Sequence, residues 1–149
     1  MAKALEILRD RLTEDSLELS YDNIEGIETL RLVLNALGEG EDGIAVLELS
    51  EIPVEEEEKA CYYHFMTVLA NRLEDAQIPS TLVNLNMLNM ETLIGAYQIV
   101  PESGTVVHKY VLRLSENQEE KAADELYSCL VDVAAIVNND YERVLSSIE

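Results

Sequence analysis

The chain has 149 residues, enough for one domain that buries roughly 70% of the surface its unfolded form exposes. Hydrophobic residues make up 48%, which excludes a disordered chain and lets a core form without disulfide or metal staples. Thirty carboxylates against ten Lys and Arg leave a formal charge of −20, which repels phosphate backbones and anionic lipid and makes nucleic acid and membrane poor partners.

The opening stretch, "MAKALEILRDRLTED", reads as folded protein, because Glu6, Arg9 and Asp10 interrupt the apolar run that a targeting segment needs. Leu5, Leu8 and Leu12 follow helical spacing and predict a short amphipathic helix over 3–13. No apolar run approaches the roughly 18 residues of a membrane span. Cys61 and Cys129 lie far apart with no disulfide framework around them, so a reducing cytoplasm is the expected setting.

After this helix, Leu17, Leu19 and Tyr21 alternate with polar residues, as in a half-buried strand. "ETLRLVLNAL" and "GIAVLELSEI" are two stronger strands, the first alternating Leu30, Leu32 and Leu34 and the second Leu47 and Leu49. From Pro53 the period reads as helical. Pro53 and the carboxylates at 55–58 resemble a helix N-terminus, and Cys61, Phe65, Val68, Leu69, Leu73 and Ala76 step mostly by three and four. A helix over 55–77, ended by Pro79, is therefore expected. Residues 81–100 read as extended. Pro101, Glu102, Ser103 and Gly104 form a turn, so 94–100 and 105–114 make a hairpin. Ser115 or Asn117 is expected to cap a final helix, whose stripe runs from Ala123 through Leu126, Leu130, Val133, Val137 and Tyr141 to Val144 and Ile148.

The order of elements is then helix, two or three strands, helix, two or three strands, helix. It predicts a single α+β domain over 1–149, an antiparallel curved sheet of about five or six strands with N-terminal, middle and C-terminal helices.

Gly38, Gly40 and Gly43 have the G-x-G-x-x-G spacing of a dinucleotide-binding loop. Such a loop offers backbone amides to a pyrophosphate and leads into a helix. Here Glu39, Glu41 and Asp42 occupy the positions where phosphates would sit, and the strand "IAVLEL" follows. The glycines read as turn residues that admit positive φ. Between Leu32 and Glu58 there are nine carboxylates and no Lys or Arg, but no complete calcium-loop series, so a solvated acidic face is expected. Cys61 and His64 stand one helical turn apart, yet zinc requires three or four ligands, and Cys61 belongs to the apolar stripe. No nucleophile and base acquire a third orienting group, and neither metal nor cofactor is expected.

One contrast is more informative. Residues 76–108 carry only Glu91 and Glu102 as charged groups in a chain that is 27% charged. Within this stretch Leu85, Met87, Leu88 and Met90 are expected to contact a polypeptide partner, and this half of the chain to pair as a homodimer. The alternative is an inhibitor or immunity-type protein whose acidic residues Glu39, Glu41, Asp42, Glu55 and Glu56 cover a basic surface.

Residues 82–148 also carry a loose pattern: Asn86 or Asn89, Gly95 and Tyr97, Gly104, Val107 and Tyr110, then Asp140 and Tyr141. In this it resembles the YbjN family, which in turn looks like the type III secretion chaperones in fold. The resemblance implies a small acidic, dimeric α+β protein that binds extended polypeptide or regulates a partner, without cofactor or turnover. A non-enzymatic, chaperone-like or regulatory interaction module is the resulting expectation.

Overall fold

The structure is a computed structural model that describes residues 2–15, 17–54, 60–115 and 118–148. Its elements are α1 (Ala2–Glu14), β1 (Leu19–Ile24), β2 (Ile27–Leu37), β3 (Gly43–Pro53) and β4 (Cys61–Ala70), then a 3₁₀ turn (Asp75–Gln77), α2 (Ile78–Asn89), β5 (Ala96–Val100), β6 (Thr105–Leu114) and α3 (Glu119–Ser146). The six strands form one antiparallel sheet in the order β1-β2-β3-β4-β6-β5. The α+β class holds. So do the antiparallel sheet and its N-terminal, middle and C-terminal helices, but the middle helix falls later in the chain than expected: 61–70 is a strand and 78–89 the helix.

The exchange has a physical cause. Cys61, Phe65, Val68 and Leu69 fit a helical stripe, but Cys61, Tyr63, Phe65, Thr67 and Leu69 fit a strand equally well, and it is the second set that is buried. The segment is rich in Tyr, Phe, Thr and Val, which suit a pleated surface. It runs between β3 and β6 near the middle of the sheet, where its backbone groups pair on both sides. The acidic residues 55–58, the expected helix start, lie outside the described residues. Pro79 does not end a helix but opens α2, standing in its first turn, where the missing N–H costs nothing. In α2 the buried residues are Thr81, Leu85 and Leu88, spaced by four and three, so helical burial overrides the apparent alternation.

The remaining elements follow the expected patterns. Leu5, Leu8 and Leu12 of α1 are buried, and Leu30 and Leu32 pair with Leu49 and Leu47 across β2 and β3. The β5–β6 hairpin turns at residues 101–104. Helix α3 buries Ala123, Leu126, Leu130, Val133, Val137, Tyr141 and Val144 on one stripe. Its N-cap position is Gln118 rather than Ser115; Asn117 lies outside the described residues. Helices α1 and α3 pack together over one face of the sheet, and the core lies between them and the leucines, Tyr63 and Phe65 of that face. Helix α2 lies against β5 at the sheet edge.

A candidate interaction surface

Helix α2 turns Leu85 and Leu88 into the core, where they are 1% and 2% exposed. Its other side presents Leu82, Val83 and Met87, and the turn that follows adds Met90 and Leu93; these are 47%, 61%, 63%, 84% and 84% exposed. Val83, Met87 and Met90 stand at i, i+4 and i+7 and form one stripe. No charged residue occurs from 76 to 90. Of the four expected contact residues, Met87 and Met90 are therefore on the surface, while Leu85 and Leu88 serve the core. A helical period separates Leu85 and Leu88 from Val83 and Met87, whereas alternation would have grouped Leu85 with Met87. Leu82 and Val83 were missed for the same reason: the charge gap marked the segment, but only the helical period shows which residues it exposes; Leu93, in the turn beyond Glu91, carries no periodic signal.

The surface is held rigidly. Asn89, the last residue of α2, meets the outer edge of β5: its Nδ2 donates to the Tyr97 carbonyl at 2.9 Å, and the Tyr97 N–H donates to its Oδ1 at 2.7 Å. The amide thus takes the place of another strand on Tyr97. The Tyr97 hydroxyl donates to Asp140 of α3 at 2.9 Å, and Asn84 Nδ2 donates to the Ser147 carbonyl at 3.0 Å. Arg143 pairs with Glu91 at 2.6 Å across the same junction. Asn89, Tyr97 and Asp140 are thereby joined in one network that fastens α2, β5 and α3. Beyond Leu93 an open groove of about 510 Å³ runs against α3, lined by Ile94, Ala135 and Ile136 with Asp132 and Asn139.

The acidic turn between β2 and β3 is a separate feature. Glu39, Glu41 and Asp42 are exposed there, while Glu55 and Glu56 lie outside the described residues. Of its glycines only Gly38 has positive φ, at +81°, with its N–H donating to Asn138 Oδ1 at 2.9 Å. Gly43 is required for space instead: a Cβ would lie 2.5 Å from the Tyr141 ring of α3. Glu41 in the turn also adopts positive φ, as does Ala36 at the register shift near the end of β2.

The chemically suggestive side chains are arranged otherwise than a helix would place them. In strand β4, Cys61 faces the core and His64 the opposite face, so the C-x-x-H pair cannot ligate one ion. Burial pushes the Cys61 thiol up, and the nearby Glu51 carboxylate adds to it, leaving a poor nucleophile. Glu51 itself is 6% exposed and accepts the Tyr63 hydroxyl at 3.0 Å; burial raises its carboxyl above the ordinary range. His108 is wholly buried, with its ring Nε2 on the Ile94 carbonyl at 2.9 Å and its edge against Tyr97; burial holds it below the usual histidine range. His108, Tyr97 and Asp140 are thus closed off from solvent and act as a joint between elements. Among the described residues no group of three or more His, Cys, Asp or Glu could hold a metal ion, and no helix is long and apolar enough to cross a membrane.

No family model matches the chain, and no curated protein matches it.

Proposed function

We propose that the protein is a non-enzymatic interaction module, chaperone-like or regulatory, that binds a polypeptide partner in the cytoplasm through the uncharged side of α2 and the turn after it. The observation that carries this reading is the exposure of Val83, Met87 and Met90, 61–84% each, within a charge-free run of a chain of net charge −20, with Leu93 exposed just beyond it. Methionine is unbranched and polarisable, so Met87 and Met90 adapt to differing apolar side chains without loss of packing. The groove beyond Leu93 offers an apolar floor with Asp132 and Asn139 to orient a bound segment.

The test is peptide selection against the intact chain, followed by fluorescence anisotropy on the selected peptides. Peptides with apolar residues at helical spacing are expected, with affinity retained in about 1 M salt, because apolar contacts are not screened. Met87→Asp with Met90→Asp is expected to weaken binding by more than about tenfold while circular dichroism is unchanged, a loss of roughly 1.4 kcal/mol or more. Binding that collapses with salt and ignores the methionine variants would instead favour the acidic reading, in which Glu39, Glu41 and Asp42 on their exposed turn cover a basic partner.

A further inference from the structure

The helices cover only one face of the sheet. On the other, strand register sets Val33 beside Val46 and Val46 beside Val68, a row of partly exposed valines that crosses three adjacent strands and ends at the buried Val107 of β6. Ile24 stands beside Ile27, and Ile52 beside Tyr62, at the end of the face; Ile44 and Val111 are 59% and 43% exposed. Val33, Val46, Met66, Val68 and Val111 all lie outside the hydrophobic core. Among the described residues of this face the charges are Arg31, Lys109 and Arg113 against Asp22 and Glu48, with Arg31 and Glu48 paired at 3.0 Å. A chain of net charge −20 thus keeps one broad face apolar and close to electrical balance.

We infer that this face is where a second copy of the chain docks, sheet against sheet. Area is the first reason. The four long strands have 10 or 11 residues each. At roughly 4.8 Å between strands and 3.3 Å per residue, with β1 and β5 added, the face spans about 840 Å². A stable interface takes about 800 Å² from each partner, and the stripe on α2, one helix wide, is too narrow for that. Charge is the second reason. Two copies meeting here turn their acidic surfaces outward, whereas contact through most other surfaces sets carboxylates against carboxylates. A two-fold axis brings the valine row of one copy onto that of the other, and β-branched side chains interdigitate well between stacked sheets. This places the expected homodimer contact on the sheet, away from residues 76–90, and it stands independently of the polypeptide site on α2.

Sedimentation velocity of the full chain, from low micromolar to about 100 µM, tests the inference. The expected mass is twice 16.7 kDa. Val46→Lys with Val68→Lys is expected to give 16.7 kDa, while Met87→Asp with Met90→Asp leaves the dimer intact. Val46→Thr with Val68→Thr keeps the side-chain shape and strand preference and is expected to raise the dissociation constant by about tenfold or more, so the test survives if the lysine variant misfolds. A wild-type mass of 16.7 kDa throughout, or a dimer unmoved by the threonine pair, overturns it.

Discussion

Glu51 is the one acid on the core face of β3, set beside Tyr63 in a row otherwise made of Gly43, Ala45, Leu47 and Leu49. Burial is the main cause of its raised carboxyl pKa, with the neighbouring Glu28 carboxylate adding to it and the Tyr63 hydrogen bond opposing it. A group whose folded pKa is raised favours the folded state fully below the ordinary glutamic acid value of about 4.3, and loses that contribution as pH rises through the raised value. Glu51→Gln is therefore expected to raise the urea midpoint at pH 7, with the gain shrinking toward pH 4. A gain that is constant with pH, or a loss at pH 7, would show that the carboxylate is better accommodated than its burial implies. Cys61 and His64 carry the same lesson at this scale. Their spacing was legible as a pair, but what the pair can do depended on whether the segment is helix or strand, because three residues along a strand reverse the face.

At the scale of elements, the patterns that survive are the long ones. The stripe of α3 runs over about six turns, and leucines alternate three times in β2 and twice in β3, and neither pattern has a competing reading. Residues 61–70 and 78–89 fit both periods, and pairing partners decided between them: β4 had β3 and β6 to bond, and α2 had an edge to cover. Covering that edge is the work of Asn89. Asn89→Ala removes both partners of the Tyr97 backbone and is expected to cost about 1–2 kcal/mol, since partly buried polar groups are left unpaired. Urea unfolding gives the cost, and hydrogen exchange at the Tyr97 amide is expected to speed up while the β3 and β4 amides stay protected. Unchanged exchange at Tyr97 would mean that the edge is shielded by the bulk of α2 and not by the amide.

For the whole molecule, thirty carboxylates against ten bases mean that folding gathers negative charge into a small volume. Screening should relieve that repulsion, so the thermal midpoint is expected to rise as salt increases from roughly 0.01 M to 0.5 M, over which the Debye length falls from about 30 Å to under 5 Å. A flat midpoint would show that the acids are spaced widely enough, or paired well enough, to repel little in dilute salt. The same excess of charge sharpens the two quiet surfaces. The stripe on α2 and the valine face of the sheet are the two places where a chain of this net charge presents little charge of its own.

Read by itself, the amino-acid sequence determined the α+β class, the two terminal helices, the β2–β3 and β5–β6 pairings, the acidic turn and the charge-free segment, because each rests on composition or on a period with no rival. Only the tertiary structure decided that 61–70 is a strand, that 78–89 is a helix, which side of that helix is bare, and that one face of the sheet has no helix over it. These depend on which backbone groups find partners and which apolar side chains find cover, and both are settled between segments distant in the chain.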